Sequence, residues 1–388
     1  MTRLLAVVNQ FPAPSETFIQ RKLLGLRAAG FDVSVAAPEL GAGVADLGLG
    51  AVPLAPWRHP RQALGGAGAR SVLASTLAAG RPSRSGAGAR RRALVAPIAA
   101  AGADIVHFEF SGIAVSYRDV LAELAPAKLA VSCRGAAEQI QPLLDPSRGP
   151  ALAEVFERVD LVHCVSDDMA RTVQALGADP ARIVVNRPAV PVADFAGLRE
   201  GRLDHDGPLR VASVGRLHWK KGFDDGLVAV AALHHGGRPV EYRIAGEGGE
   251  RAKLAFLVHH HGLDGVVHLL GSRPQPEVRE LLAWADVLLL PSLSEGISNA
   301  VLEAMAAGLP VVATRAGGMD EAIVDGSEGL LVDVGDAAAM AGALDALAAD
   351  PDRRRALGAA AAARAAADFD LSRQIATFED AYRRLLAA

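Results

Sequence analysis

The stretch that decides the fold is VLLLPSLSEGISNAVLEAMAAGLP, residues 287–310. Its first four residues form a continuous apolar run, which predicts a strand covered on both faces of a parallel sheet. A polar loop follows, and a helix is predicted from about Ser298, because serine commonly caps a helix start. Gly308 and Pro310 end that helix. The stretch therefore predicts a strand–loop–helix unit whose loop lies at the carboxyl end of a parallel strand.

The same alternation of short apolar runs and helical stretches continues along all 388 residues. Several runs are continuous rather than alternating, so the predicted class is α/β with parallel strands. The predicted strands are Leu4–Val8, Val33–Ala36, Ile105–Phe108, Leu161–Val165, Leu209–Val214, Glu241–Ile244, Val266–Leu269, Val287–Leu290 and Val311–Ala313.

A polar, glycine-rich stretch at residues 196–208 precedes a new strand and marks a domain boundary. The chain length also favours two domains. We therefore predict one domain over residues 1–200 and a second over 201–370.

The composition excludes several classes of protein. A hydrophobic content of 51% argues against disorder, and a net charge of −4 argues against a dedicated nucleic-acid binder. Cys133 and Cys164 are too few for a zinc cluster or a disulfide framework and fit a reducing compartment. No run approaches the roughly 18 apolar residues of a membrane span, and the run at residues 4–8 is too short for a signal peptide. We expect a cytoplasmic protein, with peripheral attachment to the inner face of the membrane left open.

Residues 47–103 form an unusual basic stretch without any acidic residue. One interpretation is a solvated insertion. The other is a basic surface for an anionic acceptor or an anionic membrane, where each cation contributes about 1 kcal/mol. The stretch contains eight arginines, at positions 58, 61, 70, 81, 84, 90, 91 and 92.

The loop before the predicted helix carries features of an anion site. A helix start offers unpaired N–H groups and a partial positive charge, which suit a diphosphate. Gly296 allows a ligand to approach the backbone closely. Glu295 precedes the helix, and Glu303 lies four residues after Asn299 on the same helix face. These two carboxylates are placed to hold hydroxyl groups on either side of a diphosphate; an ordinary solvent-facing pair is the alternative.

A second segment, VASVGRLHWKKGF at residues 211–223, repeats this logic. A strand ends at Gly215, and Arg216 and Lys221 stand at either end of the turn that follows. Two fixed cations there would stabilise charge that develops on a diphosphate leaving group, without a metal. The alternative is a solvated basic turn.

Together these segments resemble the retaining, nucleotide-sugar-dependent glycosyltransferases of family 4. The resemblance is carried by Glu295-x7-Glu303, by the Gly-Arg…Lys-Gly turn at 215–222 and by the run EAMAAGLPVVAT at 303–314. SETFI at 15–19 and DIVH at 104–107 resemble exopolysaccharide-type members.

The resemblance implies a GT-B fold, in which two Rossmann-like domains face each other across a cleft. The N-terminal domain would bind the acceptor, the C-terminal domain would bind the donor, and the final helix, 371–388, would pack back on the N-terminal domain. The implied activity is that of a hexosyltransferase that uses a UDP- or GDP-sugar and a glycan or lipid-linked acceptor in polysaccharide or cell-envelope synthesis. Neither a metal nor another cofactor is expected. The alternatives are a nucleotide-sugar epimerase or hydrolase on the same fold, or an inactive nucleotide-sugar-binding protein.

The resemblance also assigns roles to individual residues. Many members have a His-x-His segment whose second histidine touches the donor sugar, and Glu109 stands at that place here. For His107, the alternative to a functional contact is a structural role at the strand end. The implied catalytic residues are Glu295, Arg216, Lys221 and Glu109. The implied donor-binding residues are Gly215, Arg216, Lys221, Gly246, Glu247, Arg273, Glu295, Gly296, Ile297, Ser298, Asn299 and Glu303. The implied acceptor-side residues are Ser15, Glu16, Thr17, His107 and Arg134.

Overall fold

The computed structural model describes residues 1–13, 16–55, 94–199 and 205–387. The chain divides into two compact units. The first holds Met1–Val165, Met169–Asn186 and Ile375–Ala388, and the second holds Ser166–Asp168 and Arg187–Gln374. The limits 1–200 and 201–370 that the sequence suggests remain predictions.

Parallel strands form the sheet of the first unit. The strands are β1 (Arg3–Val7), β2 (Gln10–Phe11), β3 (Asp32–Ala37), β4 (Glu39–Leu40), β5 (Gly50–Pro53), β6 (Ile105–Phe108), β7 (Lys128–Cys133), β8 (Leu161–Cys164) and β9 (Ile183–Val185). Among the described residues, seven of them form one sheet in the order β5-β3-β1-β6-β7-β8-β9, and β2 pairs with β4. The order reverses between β1 and β6, and such a switch point is where ligands bind in open α/β sheets.

Helices connect these strands. Up to Asn186 they are Thr17–Ala28, Ser111–Tyr117, Gln141–Leu144, Arg148–Arg158 and Asp167–Ala175, with a π-helical turn at Ala136–Ile140. The last helix of the chain, Leu371–Ala387, belongs to the first unit from Ile375 onward. It buries Ile375, Phe378 and Tyr382, which lie on one face because they are three and four residues apart.

The second unit repeats the parallel arrangement. Its strands are β10 (Leu209–Val214), β11 (Val240–Ala245), β12 (Val267–Gly271), β13 (Val287–Leu290), β14 (Val311–Thr314) and β15 (Gly329–Val332), in the order β12-β11-β10-β13-β14-β15. Its helices are Phe223–His235, Arg251–His260, Gln275–Trp284, Asn299–Ala306, Met319–Ala322, Ala337–Ala349 and Pro351–Asp368. The strand order reverses between β10 and β13, which places a second switch point there.

Strand β13 shows why its sequence is apolar throughout. Leu288 and Leu290 pack into the core on one face of the sheet, while Val287 and Leu289 pack into the core on the other. All four side chains are completely buried. A strand covered on both faces has no solvent-facing position, so the alternating pattern of a half-exposed strand is absent.

The predicted α/β class is confirmed, and each of the nine predicted strands is present, three with the predicted bounds and six with shifts of one or two residues. Residues 56–93, which hold all eight arginines of the predicted basic stretch, lie outside the described residues, as does Ser15. None of the described helices is both long and apolar enough to cross a bilayer.

Candidate functional site

Three loops meet at the carboxyl ends of the strands in the second unit. The N–H of Leu293, after β13, donates to the carbonyl oxygen of Lys220, after β10, at 2.7 Å. The N–H of Gly318, after β14, donates to the carbonyl oxygen of Gly296 at 2.9 Å. Because β10, β13 and β14 are neighbours in the sheet, hydrogen bonds hold residues 291–298 between the other two loops.

Gly222 fixes the end of the loop that carries Lys221. Its φ is +60°, in the left-handed region that favours glycine. A Cβ at this position would lie 2.0 Å from the carbonyl oxygen of Pro291. The chain therefore turns against the neighbouring loop directly after Lys221, just where the helix Phe223–His235 begins.

Lys221 and Glu295, which the sequence analysis placed in one site, are in direct contact. The Lys221 ammonium forms a salt bridge with Glu295 Oε1, and the two side chains are only 12% and 10% exposed. Ser292 Oγ donates to the same carboxylate oxygen at 2.9 Å. Burial by itself raises the pKa of Glu295, but the charges of Lys221 and Lys220 and the hydrogen bonds from Lys221 and Ser292 outweigh it and lower the pKa. Glu295 is therefore ionised at neutral pH.

The helix that follows this loop begins at Asn299. Ser298 takes the N-cap position, as predicted, but its hydroxyl makes no capping hydrogen bond within the described residues, which corrects the expectation of a side-chain cap. The Asn299 Oδ1 atom is buried and has no hydrogen-bond partner in the described part of the chain. The first N–H groups of a helix have no partner inside it, so this start presents donors to an anionic ligand.

The other predicted donor residues differ in their surroundings. Glu303 is 7% exposed and accepts a hydrogen bond from Gln275 Nε2 at 3.1 Å. Ile297 belongs to the apolar core. Arg216 is exposed, and its guanidinium makes no hydrogen bond or ion pair to a described residue. The structure thus brings Lys221 and Glu295 together and leaves Arg216 extended into solvent.

Glu247 and Arg273 lie just after β11 and β12, on the same edge of the sheet. Each pairs within its own segment: Arg251 Nη1 is 3.4 Å from Glu247 Oε2, and Arg273 Nη1 is 2.8 Å from Glu277 Oε2. Both residues are exposed. Neither forms a salt bridge with the Lys221–Glu295 pair among the described contacts.

Gly246, which follows β11, lets two loop backbones touch. A Cβ built on it would lie 1.8 Å from the carbonyl oxygen of Gly215. We expect Gly246→Ala to lower the free energy of unfolding of the second unit by about 1–3 kcal/mol, because the backbone must move to relieve the overlap. Urea unfolding measures the change. The matched control is Gly249→Ala, whose added Cβ has no atom within 4 Å; equal effects of the two changes would contradict the steric argument.

The first unit holds a buried cluster of charges at the carboxyl ends of β6 and β7. Glu109 is completely buried, and its two carboxylate oxygens bind Lys22 Nζ at 2.6 Å and Arg134 Nη2 at 2.8 Å. Burial lowers the pKa of Lys22 to about 8, although the charge of Glu109 opposes the shift. Burial raises the pKa of Glu109, but the charges of Lys22 and other neighbours and the hydrogen bond from Lys22 together outweigh it, and the pKa falls well below its usual range. This burial favours a positioning role for Glu109 over the direct sugar contact that the sequence analysis expects.

Two buried histidines extend this cluster along a hydrogen-bond chain. His163 Nε2 lies 2.8 Å from the carbonyl oxygen of Asn186, which only accepts, so this nitrogen carries the proton. Burial lowers the pKa of His163 to about 3, so its Nδ1 carries no proton at neutral pH and accepts from Ser132 Oγ at 2.8 Å. Ser132 Oγ in turn accepts from His107 Nε2 at 2.8 Å. Both imidazoles are therefore neutral.

The chain ends where His107 meets the last helix. With its proton on Nε2, His107 accepts at Nδ1 from the Tyr382 hydroxyl and faces Lys22 Nζ at 3.3 Å. A second proton on this ring would point at the Lys22 ammonium. Burial, followed by the charge of Lys22, holds the pKa of His107 well below its usual range. His107 is thus an internal residue of the first unit, in line with the structural alternative given for it.

Several members of this cluster were not predicted from the sequence, although the pattern around Lys22 could have indicated one of them. Lys22 occupies the same helix face as the buried residues Ile19, Leu23 and Leu26, so it interrupts an apolar stripe. A lysine in such a stripe needs a buried partner, which is Glu109. Ser132, His163 and Tyr382 show no comparable pattern. Of the other acceptor-side predictions, Glu16 and Thr17 stand at the start of the helix Thr17–Ala28.

Two solved structures superpose on this chain over its whole length. The sucrose-phosphate synthase tll1590 of Thermosynechococcus elongatus superposes with a TM-score of 0.80 at 19% identity, covering 100% of both chains. Alr3699/HepE of Anabaena, solved in complex with UDP-glucose, superposes with a TM-score of 0.75 at 17% identity over 100% of both chains. The two parallel-sheet units therefore have the GT-B fold and place the protein in that class.

Sequence comparison identifies the family. The family model "Glycosyl transferase 4-like domain" matches residues 15–189, and "Glycosyl transferases group 1" matches residues 198–364. The lipopolysaccharide core biosynthesis glycosyltransferase LpsE of Rhizobium meliloti is 33% identical over 243 residues, which cover 62% of this chain and 67% of LpsE. The chain belongs to the glycosyl transferase family, with a 4-like domain followed by a group 1 domain.

Two further relatives align over shorter stretches. The D-inositol 3-phosphate glycosyltransferase of Pseudarthrobacter chlorophenolicus is 40% identical over 215 residues, which cover 53% of this chain and 51% of that protein. The amylovoran biosynthesis glycosyltransferase AmsK of Erwinia amylovora is 36% identical over 196 residues, which cover 49% and 48%. The chain thus spans about half the length of each of these two relatives.

Proposed function

We propose that this protein is a retaining glycosyltransferase that moves a hexose from a nucleoside diphosphate sugar to a hydroxyl group. The observation that carries the proposal is the salt bridge between Lys221 and Glu295, because the loop of Glu295 leads into the helix start at Asn299. A fixed cation near a helix start suits a diphosphate, and the neighbouring carboxylate suits the hydroxyl groups of a sugar.

In this proposal the departing diphosphate dominates the barrier. Lys221 and Arg216 stabilise its developing negative charge together with the helix start at Ser298. Glu303 binds the ribose, and Glu295 contacts the transferred sugar. Gly215 and Gly246 allow close backbone approach, and Glu247 and Arg273 lie near the base. The Anabaena protein solved with UDP-glucose favours a nucleotide sugar as donor for a chain of this fold.

We further propose a glycan or lipid-linked saccharide acceptor, bound by the first unit, in polysaccharide or cell-envelope synthesis at the cytoplasmic side. The names of LpsE and AmsK favour this acceptor class. Contact of the basic stretch 47–103 with an anionic membrane is part of the same proposal, and salt-sensitive binding to anionic vesicles would test it.

The direct test is a binding and turnover screen with purified protein and a panel of UDP- and GDP-sugars. Sugar transfer to a saccharide hydroxyl, with the anomeric configuration retained by NMR, is the expected result. Isomerised sugar without an acceptor would instead identify an epimerase. Tight donor binding without turnover on a broad acceptor panel would identify an inactive binding protein.

The proposed mechanism uses no metal ion. Within the described ranges, no three His, Cys, Asp or Glu side chains are grouped so that they could hold one. We expect the rate of sugar transfer to be unchanged after treatment with a chelator such as EDTA, because protein cations stabilise the diphosphate. Full loss of activity that added magnesium or manganese restores would overturn this part of the proposal.

A further inference from the structure

Arg134 is the one member of the Lys22–Glu109–Arg134 cluster that reaches the surface. Its side chain is 16% exposed, whereas Lys22 and Glu109 are 3% and 0% exposed. Its Nε donates to the Glu109 carbonyl oxygen at 3.0 Å, and its Nη2 donates to the Glu109 carboxylate at 2.8 Å and to Ser132 Oγ at 3.5 Å. The remaining terminal nitrogen, Nη1, makes no hydrogen bond to a described residue. The two N–H groups of Nη1 thus remain as donors for a ligand.

Two aromatic rings hold the same guanidinium. Its Cζ atom lies 4.7 Å from the centre of the Phe18 ring and 5.8 Å from that of Phe110. Cation–π contacts with these rings and the hydrogen bonds to Glu109 restrict the side chain on several sides. A restricted guanidinium loses little conformational freedom on binding and presents its planar donors in a fixed direction.

The charges around Arg134 leave its outer edge positive. Lys22 and Arg134 share the single carboxylate of Glu109. The nearby carboxylate of Glu138 accepts from Ser111 Oγ and from the Gly135 N–H instead. His107 and His163 of the adjoining hydrogen-bond chain are buried and neutral, so they add no charge. A buried carboxylate that binds two cations balances only one of them.

We propose that Arg134 binds an oxyanion on the acceptor, either a phosphate or a carboxylate, and that Glu109 positions Arg134 for this task. The proposal rests on the proposed glycosyltransferase function and narrows its acceptor to an anionic saccharide. Phosphate and carboxylate both present negatively charged oxygen atoms, which accept charge-assisted hydrogen bonds from a guanidinium. Arg134 lies directly after β7, at the carboxyl end of this strand in the first unit.

The test uses three sugars that differ only at carbon 6: D-glucose, D-glucuronate and D-glucose 6-phosphate. Calorimetry at low salt should show that the wild type binds one or both anionic sugars at least tenfold more tightly than glucose. Arg134→Gln should weaken that binding by about 10- to 100-fold, because charge-assisted hydrogen bonds are lost. A preference for the 6-phosphate points to a phosphorylated acceptor, and one for glucuronate points to a uronic acid.

The matched control is Arg27→Gln, which removes the same charge from an exposed arginine of the same unit. It should bind all three sugars like the wild type. Equal binding of the three sugars by the wild type, or an unchanged preference in Arg134→Gln, would overturn the proposal.

Glu109→Gln tests the positioning role. We expect it to reduce the preference for anionic sugars about tenfold or more while Arg134 is still present, which a purely structural residue would not do selectively. Retention of the full preference by a folded Glu109→Gln would refute positioning, and if the variant does not fold, Arg134→Gln decides the oxyanion site. Nucleotide-sugar binding should persist in Arg134→Gln, whereas Lys221→Ala should keep the preference for anionic sugars. Failure of the donor proposal and failure of this one are therefore distinguishable.

Discussion

Replacing Lys221 by alanine should lower kcat for sugar transfer by about 10²–10³-fold, which corresponds to about 3–4 kcal/mol of transition-state stabilisation. The diphosphate gains negative charge as the sugar leaves, and the ammonium of Lys221 is the buried cation of the loop that would meet it. Because the cation is held in place by Glu295, little reorganisation is needed when that charge develops. Steady-state kinetics with a saturating nucleotide sugar measures the effect.

Replacing Lys221 should also affect the stability of the protein. Without Lys221, the carboxylate of Glu295 keeps the hydrogen bond from Ser292 but loses the cation that lowers its pKa. We therefore expect a moderate loss of stability beside the loss of turnover. Circular dichroism and urea unfolding separate the two, since kcat is measured only where the variant is folded.

A suitable control is Lys253→Ala in the same unit. Lys253 also pairs with a carboxylate, Asp224, at 2.8 Å, but its side chain is 50% exposed. Exposed pairs contribute little, so this variant should turn over like the wild type. Near-normal kcat in Lys221→Ala, together with unchanged donor affinity, would remove Lys221 from the proposed mechanism.

The strands that sequence reasoning found and missed differ in their place in the sheet. Buried runs such as Val287–Leu290 are visible because both faces demand apolar residues. Of the strands absent from the predicted list, β5, β9 and β15 lie at sheet edges with partly exposed residues, and β2 and β4 form a separate short pair, while β7 lies inside a sheet. An edge strand is defined by hydrogen bonds to one neighbour more than by its own side chains, so its sequence carries a weaker signal.

The two candidate sites also differ in how much of their geometry the sequence reveals. Lys221 and Glu295 were placed in one site because each follows a strand, and parallel strands end at a common edge. The buried cluster joins His107 to Tyr382, which are 275 residues apart, and no local spacing reveals that contact. Arg134 and Glu109 were both singled out, yet their mutual salt bridge follows only from the adjacency of β6 and β7.

The neutral histidines of the first unit should make it sensitive to acid well above the pKa of carboxylates. Burial, with the nearby charges of Arg134 and Lys22, lowers the pKa of His163 to about 3, and the pKa of His107 is also far below its usual range. In the unfolded chain both titrate near 6.5, so below that pH the unfolded state binds more protons and the free energy of unfolding falls. Between pH 7.5 and pH 5 the loss should be about 2 kcal/mol for each histidine, or about 4 kcal/mol together.

The titration of neighbouring groups changes little in the expected loss of stability between pH 7.5 and pH 5. Lys22, with a pKa of about 8, is mainly charged at pH 7.5 and becomes fully charged as the pH falls, and Glu109, with a lowered pKa, remains ionised. Hydrogen exchange of β7 and β8 as a function of urea and pH reports the stability of the first unit specifically.

His163→Gln gives the sharpest comparison, because its amide can donate to the Asn186 carbonyl and accept from Ser132 without titrating. That variant should lose about 2 kcal/mol less than the wild type over the same range, while His260→Gln, at an exposed position of the second unit, should match the wild type. An equal pH slope in wild type and His163→Gln would show that His163 is already protonated in the folded protein, and the direction assigned to the hydrogen-bond chain would have to be abandoned.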